Sequence, residues 1–203
     1  MSGVNVNYMP TTQPFGTFTD STQGFYQGDF VDDSSSYQWL AAGQIASSVS
    51  QPIWGGMALT ESVSSAGEGN LGNQITLATS ASNVTGISTF LKNGAAVLTA
   101  GLSNVPLLST SQTVNFFRFG SQARIKVAVL GSYVATLEGA GINQTLYWDP
   151  ALQQLTAEAT GGSFALPATT KVLAVNTNSK VVNYNSGTGA VTWATGAVAI
   201  IQI

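Results

Sequence analysis

From Trp39 onward the apolar residues fall in short runs separated by Gly, Ser and Asn, which is the texture of strands. PIWGGMALTE, NQITLAT and VTGISTFL are such runs. Asn93-Gly94, between STFL and AAVLTA, predicts a hairpin, because both central residues of a type I′ turn need positive φ. ARIKVAVL alternates: Ile125, Val127 and Val129 share one face, and Arg124, Lys126 and Ala128 share the other. TVNFFRFG precedes it, with Gly120-Ser121 as the turn between the two runs. YVATLEG, QTLYW, QLTAEA, KVLAV, KVVNY, AVTWA and AVAIIQI follow at turn-separated spacing. The short connections favour antiparallel pairing over βαβ crossovers. The predicted fold is all-β, an antiparallel sandwich, jelly roll or barrel-like body.

Two segments leave the local reading open. YQWLAAGQIASS follows the cap candidates Ser34, Ser35 and Ser36, and suits either a short helix or a strand. Tyr147-Trp148-Asp149-Pro150 to Leu155-Thr156-Ala157 echoes Tyr184-Asn185 to Val191-Thr192-Trp193, an aromatic strand, a turn and a returning strand. The echo predicts two similar hairpins, since two units cannot define a solenoid period.

Residues 1–37 hold no sustained period. They carry Tyr8, Phe15, Phe18, Phe25, Tyr26, Phe30 and Tyr37 among Pro and Gly residues, more aromatics than a disordered linker has. The expected organisation is an extended arm over 1–37 and a β body over 38–203, with a possible subdivision near 110–112. An arm that buries its aromatics in a neighbour's grooves fits the pattern; so does a strap over the chain's own core.

Charge sharpens this picture. Only 7% of the 203 residues are charged, where an average soluble protein has roughly 25%. Asp20, Asp29, Asp32, Asp33, Glu61 and Glu68 all precede the first base, Lys92, so residues 1–91 carry −6. Lys92, Arg118, Arg124, Lys126, Lys171 and Lys180 against Glu138, Asp149 and Glu158 give +3 for the remainder. A neutral surface of amides and hydroxyls suits coverage by a partner, because charged groups are costly to desolvate. The end-to-end polarity suits docking on copies of the chain or on a neighbour. Candidate interaction residues are therefore the aromatics Tyr8, Phe15, Phe18, Phe25, Tyr26 and Phe30 with the acids Asp29, Asp32 and Asp33. The basic face of Arg118, Arg124 and Lys126 is the candidate seat for an acidic arm or partner, or simply a solvated side of a sheet.

Chemistry-bearing patterns are weak. There is no cysteine and no histidine, which removes disulfides, thiolate metal sites and a Ser–His pair. The bases sit in no Ser-x-x-Lys signature. Adjacent Asp32 and Asp33 point apart on an extended chain, and nothing makes Glu61/Glu68 or the isolated acids Glu138, Asp149 and Glu158 converge as a glycosidase pair would. Gly67 to Gly72 matches G-x-G-x-x-G literally but is followed by strand-like NQITLAT, not by a helix. Asp29 to Ser34 offers oxygen ligands without the spacing of an EF-hand. Asn83-Val84-Thr85 and Asn143-Gln144-Thr145 read as polar turns. No cofactor, metal or catalytic residue is expected. A pI near 4.6 with scattered bases argues against nucleic acid. The amino terminus lacks the basic and apolar segments of a secretory signal, and no apolar run reaches membrane-spanning length, so assembly in a cytosol is expected, with no membrane partner.

The segment QPIWGGMALTE, and the stretch from LYWDPALQQLTAEA through ALPATTKVLAV to AVAIIQI, resemble the head-decoration, or cement, proteins of tailed bacteriophages. The likeness is one of composition and hairpin texture over residues 50–203. It implies an all-β module on the capsid exterior that bridges neighbouring major capsid subunits, works as a dimer or trimer, stiffens the shell and has no active site. The rival readings are a tail-fibre receptor or carbohydrate-binding module, in which Trp54, Trp148 or Trp193 would stack on sugars if exposed, burial in the core being the expected fate of each, and a jelly-roll major coat protein.

Overall fold

A computed structural model describes residues 25–31, 39–63, 73–90, 105–139, 144–156 and 161–203. Its body is β throughout, in two units. The first is a closed five-stranded barrel of β2 (Leu40–Ile45), β3 (Ala58–Val63), β4 (Asn73–Leu77), β5 (Gly86–Thr89) and β6 (Thr113–Arg118), hydrogen-bonded in the order β2-β4-β3-β5-β6. The second is a sheet in the order β10-β8-β9-β7-β12-β11. It is built from β7 (Arg124–Val129), β8 (Tyr147–Asp149), β9 (Gln154–Thr156), β10 (Phe164–Ala165), β11 (Lys171–Asn185) and β12 (Ala190–Gln202). The short β1 (Phe30–Val31) pairs with β7 at Phe30↔Ile125 and Val31↔Arg124.

Within YQWLAAGQIASS, Leu40–Ile45 is a strand: its alternate residues Ala41, Gly43 and Ile45 face the barrel core. Pairing is mixed, because β2–β4 and β7–β9 are parallel. The remaining ladders are antiparallel, the pairing that the short connections favoured. TVNFFRFG and ARIKVAVL do not pair with each other, although the turn between them is present. Gly120 (φ 90°) and Gln122 (φ 61°) turn the chain out of the barrel and into the sheet. YVATLEG is not a strand but the helix α1 (Val134–Gly139), entered through a 3₁₀ turn at Gly131–Tyr133. Tyr133, Val134 and Leu137 are buried, which is a helical spacing. KVLAV and KVVNY belong to one long strand, β11, which carries irregularities between Val172 and Ala174 and between Asn176 and Ser179. Both echo hairpins form, as β8–β9 and as the distal half of β11–β12. The Asn93-Gly94 turn lies outside the described residues.

Phe116 and Phe117 show how the two units meet. Both are fully buried, yet they belong to different cores. Phe116 lies with Ile45, Leu59, Ile75 and Val114 inside the barrel. Phe117 lies with Ile87, Ile125, Val127, Trp148 and Ile201 between barrel and sheet. Neighbouring residues of a strand point to opposite faces, so β6 is a wall with a core on each side. The distal half of β11–β12 folds back over the barrel, resting Val182, Tyr184, Val191 and Trp193 on its core. A further joint is Gln153, a buried residue at φ 52°. Its Oε1 accepts from Trp148 Nε1 in the sheet and from Ala58 N in the barrel, each at 3.3 Å.

Candidate functional site

Residues 25–31 form a strap whose bonds reach far along the chain. Tyr26 makes a parallel bridge to Lys180 of β11. Gln27 N donates to Lys180 O, and Lys180 N to Phe25 O. On its other side Gly28 N donates to Lys126 O, and Lys126 N to Asp29 O. Hydrogen bonds thus run from β7 through β12 and β11 to the strap and back to β7. The irregularity of β11 serves this junction: Ser179 Oγ accepts from Phe25 N at 2.9 Å, and Val182 N donates to Gln27 Oε1 at 2.8 Å. Towards the barrel, Gly28 O accepts from Phe90 N and from Thr89 Oγ1. Gly28 stands at φ 82°, and a Cβ there would lie 2.4 Å from the backbone of Gly55. Only glycine fits such an approach.

At the centre Lys126 Nζ donates to Asp29 Oδ2 at 2.9 Å. The lysine side chain is 1% exposed and the aspartate 17%. The Phe25 ring centroid is 5.7 Å from the ammonium, a cation–π contact. Phe30 is buried on the far side of the strap, its ring edge-on to Phe117 at 5.5 Å. Tyr26 is half-buried and meets Trp193 at 6.0 Å.

These placements revise the expected basic face. Lys126 does not stand beside Arg124 on a solvated side of β7. Arg124 is exposed, but the strap and the Gly55–Gly56 turn cover the rest of that face, so β7 is dry on both sides from Ile125 onward. Phe25, Asp29 and Phe30 are seated on the chain's own body, the strap alternative for these residues. Tyr8, Phe15, Phe18, Asp32 and Asp33 lie outside the described residues, as do Glu68 and the Gly67–Gly72 loop.

Arg118 belongs elsewhere, at one end of the barrel. Its Nε and Nη2 each donate to Glu61 at 2.6 Å, a two-pronged pair. Asn73 Nδ2 also donates to Glu61 Oε1. Glu61 lies two residues beyond Leu59, and Arg118 two beyond Phe116, so the pair continues the barrel's interior face to its rim. The hydrogen bond from Arg118 holds the Glu61 carboxyl below its ordinary value of 4.5, against burial, with added help from the Arg118 charge and from Asn73. The arginine is raised in turn, chiefly by that same hydrogen bond. In the sheet unit, burial and then the neighbouring Tyr147 push the Tyr133 phenol up.

Sequence reasoning missed Gln27, Ser179, Gly55 and Glu61 as partners. The Gly55-Gly56 pair in QPIWGGMALTE was the visible trace of a close backbone approach. Trp54 and Trp148 are buried and Trp193 is half-buried, so the expected sugar-stacking tryptophans do not include Trp54 or Trp148. Trp39 is instead the exposed one, at 61%. Among the described residues no group of three or more acids could hold a metal ion, and no helix is long and apolar enough to cross a membrane. No protein-family model, curated protein or solved structure matches the chain.

Proposed function

We propose that the chain is a structural protein of an assembled particle. In this reading it sits on the outside of a tailed-bacteriophage head and bridges neighbouring major capsid subunits, as a dimer or trimer. One observation carries the reading: the described body carries few charges, and part of them are paired within the chain. Of the nine charged side chains among the described residues, Asp29, Lys126, Glu61 and Arg118 neutralise one another in two pairs. What faces outward is mainly hydroxyl, amide and small apolar surface, with Trp39, Leu107, Leu152 and Leu173 exposed among it. Such a surface can be covered without stranding ions. On a lattice a second contact becomes intramolecular, so weak patches gain about 10²–10⁴ in avidity when the geometry permits.

The test is to locate the chain in an electron-microscopy map of the particles produced alongside it. Density on the shell exterior at junctions between coat subunits is the expected result. Absence from the particle overturns the reading. Binding of the isolated protein to glycans, with none to heads, favours the tail-fibre alternative, for which Trp39 is the exposed aromatic. Assembly of the pure chain into shells favours a major coat protein. Truncation also becomes informative once the strap is respected. Deletion of residues 1–37 would remove a structural part of the body, whereas deletion of residues 1–23 leaves Phe25 to Val31 in place.

A further inference from the structure

We propose that Lys126 and Asp29 condense to an amide, a covalent cross-link that fastens the strap to its seat on β7. The bond forms within one chain and owes nothing to a capsid.

The two residues are held side by side. Asp29 stands opposite Lys126, one step along from the Phe30↔Ile125 pair, and its carbonyl accepts from Lys126 N. Gly28, just before it, donates to Lys126 O and is wedged against Gly55, which fixes the register of the strap on β7. Opposed residues of neighbouring strands project to one face. Here Lys126 Nζ lies 2.9 Å from Asp29 Oδ2. Reacting atoms about 3–3.5 Å apart are in near-attack range, and Cγ is one bond beyond that oxygen. Both residues have further interactions. Placement and setting, not want of a partner, single the pair out. The ammonium is 1% exposed, with the Phe25 ring 5.7 Å away, so bulk water does not compete for the nitrogen. The aspartate, 17% exposed, leaves a path for a departing water. A buried ion pair is poorly rewarded, whereas an amide buries no charge. Groups oriented in this way react as if at about 10⁵–10⁸ M, which offsets the unfavourable condensation of an amine with a carboxylate in water.

The step balances without a co-reactant. One ammonium proton passes to the carboxylate along the hydrogen bond, and the freed nitrogen lone pair adds to Cγ. The Nζ–Cγ bond forms, a Cγ–O bond breaks, and that oxygen departs as water with two protons that began on the nitrogen. One positive and one negative charge vanish together. Ion pairing comes with folding and condensation follows it, so young chains carry the pair and aged chains the amide. The product ties together residues 97 apart, the work a disulfide does elsewhere, in a chain without cysteine.

Intact mass spectrometry of the full-length chain tests this. Folded wild type stored at neutral pH should accumulate a species lighter by one water. Digestion of that species should release a branched peptide joining Asp29 to Lys126. Lys126→Arg and Asp29→Ala should keep their full sequence mass, whether or not they fold. A folded wild-type chain that keeps its full mass after prolonged storage overturns the inference. So does the same water loss in either variant, or a lighter species with no branch between these two residues. Failure to find the chain on a particle leaves the expected mass unchanged.

Discussion

The strap seat and the barrel rim each join an acid from the first half of the chain to a base from the second, yet they do different work. Asp29–Lys126 is one-pronged with its ammonium sealed from water, whereas Glu61–Arg118 is two-pronged with its arginine 51% exposed. The rim pair has the better geometry and the smaller effect, because solvent screens it. The seat pair shares fewer hydrogen bonds and has the larger consequence, since removing Asp29 takes a charge partner from an ammonium that is only 1% exposed. Environment, more than the number of hydrogen bonds, decides which pair the fold depends on. The comparison also reinterprets the charge polarity of the sequence: two of its acid–base attractions are already satisfied within one chain.

Substitutions at and around the two sites would break or sharpen this contrast. Asp29→Ala should cost about 3–5 kcal/mol in urea unfolding, and combining Asp29→Leu with Lys126→Met should recover most of it. A loss no greater than that of Glu61→Gln would abolish the distinction. Gly28→Ala should cost about 2–4 kcal/mol, since it adds a methyl against the Gly55 backbone to the strain of a left-handed residue. Gly120→Ala, at φ 90° with open space around it, bears the strain alone and should cost only about 1–2 kcal/mol.

At the rim, Glu61→Gln should lose less than about 1 kcal/mol, and less again in high salt. Its pH dependence has a definite sign. The folded carboxyl is depressed below 4.5, so its contribution is complete above that pH and fades as the pH falls through the folded value. The urea midpoints of wild type and Glu61→Gln should therefore converge as the pH falls below 4.5. The smallest effect belongs to Trp39→Ser, which should leave unfolding within about 0.5 kcal/mol of wild type. If the proposed function holds, the same change weakens binding to heads.

Much of the β texture was legible because short apolar runs and turn residues act locally. The two echo hairpins are of this kind; the strand at Leu40 was not, because YQWLAAGQIASS suited a short helix equally. Phe116-Phe117 carried a subtler signal: two large neighbours in a strand require a core on each face, and therefore a second layer. What escaped was set by distant partners. Clean alternation in ARIKVAVL suggested one wet face, but the strap that dries it lies 97 residues away at Asp29. VATLEG was too short for its helical spacing to stand out. Of the candidate site, the aromatics Phe25 and Phe30 and the acid Asp29 were visible by composition. Their seat was not, because Gln27, Ser179 and Gly55 have no distinctive pattern until the chain is folded.

The separation between strap and seat has a consequence for synthesis. Phe25 is translated 154 residues before Ser179, which receives it. At about 5–20 residues per second, the bond from Phe25 to Ser179 becomes possible only roughly 8–30 s after Phe25 is made. The ladder that closes over β11 is therefore among the last parts of the body to be completed, after nearly the whole chain has been made.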